Sequence, residues 1–271
     1  MGPEPEPETN GRALQTVGTM FEIVNLLKER DGVKATELAA ELDLSRSAVY
    51  NHLITLQEHE WIVRENNEYH LSLKFFRYGI AVRNDNRLFS IAKPKVKELA
   101  RETGETAHLT TEQHGYQVNL LKETNGPAVG ESYHTQKLQQ VSYHHDTASG
   151  KALLAFLPRE RVEWILDRQG LPQKTAHTIT DREALHAELE RIRDRGYAIN
   201  DEEEIEGLRA VGTAIQDTDG TVLGAVSVSG PTSRLKGSRF TDELPEKVMS
   251  AANVIELNLN MERRVTGGDG V

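Results

Sequence analysis

Residues 45–73 read SRSAVYNHLITLQEHEWIVRENNEYHLSL, and the fold turns on this stretch. Val49, Leu53 and Leu56 recur at i, i+4 and i+7, which is one buried helix stripe, and Ser45 stands where an N-cap belongs. Directly afterwards Ile62, Tyr69, Leu71 and Leu73 can pack inward along an alternating ribbon. Glu65-Asn66-Asn67-Glu68 supplies turn chemistry for its tip. Upstream, Leu14, Val17, Phe21, Val24 and Leu27 step by three and four towards Gly32, predicting a first amphipathic helix. "TELAAELDL" follows as a short second helix, with Thr36 as its expected N-cap and Leu38, Ala39 and Leu42 facing inward. Three tightly joined helices and a ribbon predict a winged helix-turn-helix over residues 13–73.

The outward face of the third helix carries Arg46, Ser47, Tyr50, Asn51 and Ile54. Residues 1–73 hold 13 Asp/Glu against 6 Lys/Arg, yet no acid occurs between Asp43 and Glu58. That gap suits a surface approaching phosphates, and oriented N–H groups at the helix start can hold one. Arg46 can bind guanine bidentately or clamp phosphate, and Asn51 can read adenine. Thr36, Ser45, Arg46, Ser47, Tyr50 and Asn51, with Arg64 on the ribbon, are the candidate contacts to double-stranded DNA. The plainer alternative is that Arg46 and Tyr50 merely solvate an amphipathic helix. Cap, spacing and ribbon together favour DNA, although the acidic wing tip blunts contact there.

The rest of the composition sets limits. A chain of 271 residues with net charge −10 suggests two domains. Such a chain is a poor polyanion ligand overall, so any DNA contact must be local. The acid excess, with Arg outnumbering Lys 20 to 12, suits a cytosol rich in salt, as in a halophile. No apolar run approaches the roughly 20 residues that span a bilayer, and "MGPEPEPETNGR" lacks the apolar core of a signal peptide. The expectation is a soluble, cytoplasmic protein without a membrane partner, with disordered residues 1–12 and a flexible tail at 265–271. With no cysteine, disulfides, thiol catalysis and thiolate metal sites are excluded. Residues 74–103 reverse the charge, with 8 Lys/Arg against 3 Asp/Glu, and predict a linker helix with Leu88, Ile91, Ala92, Val96 and Leu99 on one side. Pro94 marks a kink or a fresh start in it. Its apolar surplus fits either a second subunit or the following domain. A twofold dimer would offer two reading helices to a palindromic operator.

From residue 105 the period changes. "TAHLTTEQHGYQVNLLKET" reads as two strands around a Gly turn, helical stretches follow at 147–169 and 181–195, and "YAIN", "GLRAVGTAIQ" and "TVLGAVSVSGP" read as strands before a last helix over about 241–264. The result is an α+β sensor-like module. "DTASGKALLAFLP" (146–158) is no phosphate loop, because His145 stands where the first Gly belongs and Ala152 follows Lys151. What remains is a helix start whose N–H groups at Ala148, Ser149 and Gly150 can hold a carboxylate. Lys151 either faces that ligand or solvates the surface. Ser227 and Ser229, two apart on a strand, point the same way towards an oxo or hydroxyl group, or else form a plain polar strand face. Adjacent His144 and His145 point to opposite faces and make no metal site. "DEEEIE" (201–206) reads as a solvated loop, not a calcium loop. No catalytic grouping is readable, and no cofactor is expected.

"TGETAHL" (103–109), "TASGKALLAFLP" (147–158) and "GYAINDEEEIEGLRAVGTAIQDTDGTVLGAVSVSGP" (196–231), with the winged helix, resemble the isocitrate lyase regulator (IclR) family over about residues 13–262. The resemblance implies an α+β chain: a winged helix-turn-helix DNA-binding domain (13–73), a linker helix (74–103) and a GAF-like effector-binding domain (104–264). It implies a ligand-responsive transcription regulator, repressor or activator, of catabolic genes. It also implies a homodimer or dimer of dimers answering to a small organic acid. By position it places the pocket at Ala148, Ser149, Asn200, Leu208, Ala210, Ser227 and Ser229. The family often has Asp where Asn200 stands and Cys where Ala210 stands, so the site here is larger and less negative. Two other readings stay open: an enzyme acting on a small acid with an attached DNA tether, and an effector-free oligomeric regulator.

Overall fold

The structure is a computed structural model and describes residues 12–125 and 142–266. Most of both expected tails lies outside the described residues; of the second, only its first two residues are seen, closing the last helix. The chain divides into two compact units between Asp85 and Asn86.

The first unit runs α1 (Gln15–Glu29), α2 (Ala35–Glu41), α3 (Arg46–Glu58), β1 (Ile62–Glu65), β2 (Glu68–Leu71) and α4 (Lys74–Asp85). Its core gathers Ile23, Leu38, Val49, Leu53, Ile62 and Tyr69. Two sequence expectations are corrected here. The buried side of α1 passes through Ile23 and Leu27, while Leu14, Val17 and Phe21 are exposed. The helix carries two overlapping apolar stripes, and packing selects the one through Ile23. Thr36 is not an N-cap: α2 begins at Ala35, whose side chain is buried, and Lys34 caps it. The Glu37 carboxylate accepts from the Lys34 N–H at 2.8 Å, the backward half of a capping box.

Asp43 takes a left-handed φ of 52° to turn the chain from α2 towards α3. Asn66 and Asn67, at φ 48° and 71°, close the β1–β2 ribbon with Glu65 opposite Glu68. Such two-residue turns need φ > 0 twice, a conformation Asn tolerates. Helix α4 settles on the ribbon through Trp61, whose ring meets Phe75 at 4.7 Å and Tyr78 at 4.9 Å. Leu73, Phe76 and Val82 remain exposed.

The second unit opens with α5 (Arg87–Thr103), so the expected linker is two helices. The interruption falls at Asn86, whose side chain caps the new helix by accepting the Phe89 N–H at 3.0 Å. Pro94 sits inside α5; its missing N–H is tolerated because Leu88, Ala92, Val96 and Leu99 anchor the helix in the core. Five antiparallel strands follow: β3 (Thr106–Gln113), β4 (Tyr116–Thr124), β5 (Ala198–Asp201), β6 (Leu208–Gln216) and β7 (Val222–Pro231), in the order β4-β3-β7-β6-β5.

Among the described residues the helices are α6 (Ala148–Phe156), α7 (Arg159–Gln169), α8 (Arg182–Arg195) and, after a π-helical turn at Arg239–Glu243, α9 (Leu244–Thr266). The stretch expected as one helix over 147–169 is α6 and α7. Leu157 turns extended before Pro158, as a residue preceding proline prefers. Strand alternation sorts the sheet faces. Leu109, Val211, Val226 and Val228 pack with α5 and α9, while Ala198 and Ala225 pack with α6, α7 and α8. Polar side chains interleaved with the first set, His108 and Ser227 among them, therefore turn towards α6.

Candidate functional site

Helix α3 presents an open face. Ser45 Oγ accepts the Ala48 N–H at 3.1 Å, fixing the first turn, and that turn contains no acid. Val49, Leu53 and Leu56 are buried. Arg46, Ser47, Tyr50, Asn51 and Ile54 are exposed on the other side. The side chains of Arg46 and Asn51 are not engaged with any described residue, so both are available to an incoming ligand. Arg64 is occupied instead. It hydrogen-bonds the Asn67 side chain and lies 5.5 Å over the Tyr69 ring. Thr36 lies exposed in the first turn of α2. Part of the wing-tip acid is balanced, since Lys34 Nζ is 3.6 Å from Glu68 Oε1.

A second, half-open feature lies under the start of α6. Thr147 caps that helix: its Oγ1 accepts the Gly150 N–H at 3.0 Å and donates to Gln117 Oε1 at 2.8 Å. Gln117 Nε2 in turn donates to Ser149 Oγ at 2.9 Å. The Ala148 and Ser149 N–H groups, first in the helix, have no intrahelical acceptor. Gly150 does not offer the donor expected of it, because Thr147 already takes its N–H. Its glycine is a steric requirement, as a Cβ there would lie 2.4 Å from the His144 carbonyl oxygen. Gly212 plays the matching part in the sheet: a Cβ would sit 3.0 Å from Ala148 C and Ser149 N. The helix start therefore rests almost on the strands.

Between them is a hollow of about 20 Å³, room for about one water molecule. Strands β3 and β4 contribute His108, Gln117 and Asn119 to its lining, and β5, β6 and β7 contribute Asn200, Ala210, Ser227 and Ser229. Thr147, Ala148 and Ser149 lie above, and Glu204 completes it. His108 Nε2 and Ser229 Oγ are 2.9 Å apart. Asn200 Oδ1 accepts the Glu203 N–H at 2.9 Å, which orients the amide and leaves its two N–H donors without a partner among the described residues. Ser227 is 4% exposed, and its hydroxyl has no partner among the described residues.

Of the positions named from sequence, Ala148, Ser149, Asn200, Ala210, Ser227 and Ser229 come together around the hollow. Gly150 and Leu208 do not line it; Leu208 opens β6, opposite Pro231. Sequence reasoning missed His108, Gln117, Asn119, Thr147 and Glu204. One signal was present, because Thr106, His108 and Thr110 are polar at alternate positions of a strand that is buried throughout that stretch.

Lys151 faces neither a ligand nor solvent. It is 1% exposed, with Nζ 2.5 and 2.6 Å from the two Glu203 carboxylate oxygens. Burial pushes the Glu203 carboxyl above its usual range, against the pull of Lys151. Thr178 Oγ1 donates to the Glu203 carbonyl at 2.6 Å, so this residue is held on three sides. Burial also lowers both histidines beside α6, His144 to about 4. His144 Nδ1 lies 3.2 Å from Gln169 Oε1, His145 Nε2 lies 3.1 Å from the Pro172 carbonyl, and His144 Nε2 is buried without a partner. Among the described residues no group of His, Asp or Glu is placed to hold a metal ion.

Among the described residues no helix is long and apolar enough to cross a membrane. Two family descriptions match the chain: "IclR helix-turn-helix domain" over residues 20–66 and "Bacterial transcriptional regulator IclR C-terminal" over residues 81–257. The chain is 36% identical to a probable HTH-type transcriptional regulator ArcR of Halobacterium salinarum, across 94% of this chain and 98% of the relative. Among solved structures, the Thermotoga maritima IclR superposes with a TM-score of 0.71 at 29% identity, covering 91% of this chain and 99% of that one. An IclR homologue from Microbacterium hydrocarbonoxydans, complexed with 4-hydroxybenzoate, shares the fold at 21% identity with a TM-score of 0.73, covering 90% and 98%.

Proposed function

The chain belongs to the IclR family of transcriptional regulators, and on that premise we propose that α3 reads a palindromic operator while the hollow under α6 senses a small organic acid. The family and its relatives are regulators, not enzymes, so the reading as an acid-transforming enzyme is set aside. One observation carries the effector reading. Two helix-start N–H groups and the buried Ser227 hydroxyl, none with a partner among the described residues, border one hollow, the arrangement that takes up a carboxylate. The homologue complexed with 4-hydroxybenzoate, itself a carboxylic acid, supports it.

Operator contact falls to Arg46, Ser47, Tyr50 and Asn51, with Ser45 fixing the helix start. Thr36 contacts the phosphate backbone, and Arg64 joins it by giving up its hold on Asn67. A second copy of the chain covers the exposed Leu14, Val17, Phe21, Leu73, Phe76 and Val82 of the first unit. The resulting dimer, or dimer of dimers, acts in the cytoplasm on catabolic genes.

The test is retention of genomic fragments that weakens with salt and changes when an acid from a panel is added. Ser149→Leu fills the hollow and should remove the acid response while leaving DNA retention intact. A variant that still responds fully would place the effector elsewhere. The small volume favours one other reading, an effector-free oligomerisation platform. Thermal shifts decide between them, because a site filled to about 100 times its Kd stabilises by ~2.7 kcal/mol, whereas a platform gives a flat response.

A further inference from the structure

We infer that Ile54, with Tyr50 beside it, reads the 5-methyl group of thymine in the major groove of the operator. The inference rests on the operator reading above and narrows it to one feature of one base.

Charge is the first consideration. Helix α3 holds a single Lys or Arg, Arg46, and no acid before Glu58. Four other cations of the same unit are already engaged. Arg30 is paired with Glu41, Lys34 with Glu68 and Lys74 with Glu60, and Arg64 is bonded to the Asn67 side chain. Phosphate contact, the usual source of affinity for DNA, is therefore weakened on this unit, and contact with bases carries a larger share.

Geometry is the second. At about 3.6 residues per turn, Ser47, Asn51 and Ile54 lie opposite the buried Val49, Leu53 and Leu56. Around the helix Ile54 falls between Tyr50 and Asn51. Ile54 is 50% exposed and Tyr50 43%. Single apolar residues on a surface need no account, but these two stand one turn apart on the reading face itself. A second copy of the chain seated there would cover Arg46 and Asn51 and shut the helix off from DNA.

Chemistry is the third. Among the groups that distinguish base pairs in the major groove, the thymine methyl is the apolar one, and apolar side chains recognise it. Ile54 lies three residues beyond Asn51, about 4.5 Å along the axis, against a base-pair spacing of about 3.4 Å. With Asn51 on adenine, the two side chains favour A·T pairs at neighbouring positions.

The experiment selects binding sites from a random duplex library with the full native chain and with Ile54→Ala, then replaces each selected thymine in turn by uracil. Uracil pairs as thymine does and lacks only the methyl group. At one position of the native motif uracil should weaken binding by about fourfold, the worth of one buried methyl. Ile54→Ala should lose the thymine preference at that position and bind the thymine and uracil sites alike. Its thermal midpoint should match that of the native chain, and the uracil change, lying in the DNA, tests the contact without any variant. A native motif indifferent to uracil throughout overturns the inference and leaves the operator reading standing. So does a thymine preference or a methyl effect that Ile54→Ala keeps, whatever the variant does to assembly. Should the native chain enrich no site, the operator reading falls together with the inference.

Discussion

Helices α3 and α6 begin with the same local device and set it in opposite surroundings. Each has a hydroxyl N-cap, Ser45 or Thr147, that accepts an N–H three residues on, and neither has an acid in its first turn. Both starts therefore favour an anion. Around α3 the first turn exposes Arg46 and Ser47, and Asn51 is exposed in the next turn. Around α6 every residue from Ala148 to Ala155 is buried, and two glycines bring the helix against its neighbours. An exposed start suits a large polyanion held by many screened contacts. An enclosed one selects a single small anion by size and donor count. Surroundings, more than sequence at the cap, decide which.

The contrast can be broken at several points, the largest first. Lys151→Ala strands Glu203 as a buried charge and should cost the second unit about 3–5 kcal/mol in urea unfolding. A combined Lys151→Met and Glu203→Leu change should recover most of that loss. A cost under about 1 kcal/mol for the single change would mean the enclosure is far wetter than described.

Acid should then act on the same unit. His144 takes its proton near 6.5 when unfolded and near 4 when folded. The stability given by its neutral ring is thus complete above about pH 6.5 and drains as pH falls towards 4. The loss amounts to roughly 3 kcal/mol for a shift of this size. The thermal midpoint of the native chain should fall more steeply across that window than that of His144→Gln; parallel curves would remove the histidine from the account.

On the open side, Arg46→Ala should weaken operator binding by about 1–3 kcal/mol and leave acid binding unchanged. The caps give the finest comparison. Thr147→Ala removes a bond from a buried network and should cost about 2 kcal/mol, whereas Ser45→Ala, open to water, should cost about 1 kcal/mol. Equal losses would show that enclosure adds nothing to the cap.

The same contrast governs what could be read from sequence. Helix α3, its cap and the Asn66-Asn67 turn were legible because each depends on residues within one or two turns of chain. Six residues of the hollow were named, but chiefly through family resemblance. His108, Gln117 and Glu204 escaped because strand pairing brings them together from positions up to about a hundred residues apart, and periodicity says nothing of that. Where local signals overlapped, packing chose: Ile23 over Phe21 in α1, Asn86 over Pro94 as the interruption. Gly150 misled for another reason. Its N–H is at a helix start, but the hydroxyl three residues back had already claimed it.

The amide of Asn200 faces two ways. Its oxygen moors the segment that bears Glu203 and Glu204, while its hydrogens are left for whatever occupies the hollow. An aspartate there would keep the mooring and exchange donors for a charge that, at 1% exposure, must find a cation or a proton. One atom's swap thus alters at once what the hollow offers an occupant and what its wall costs to bury.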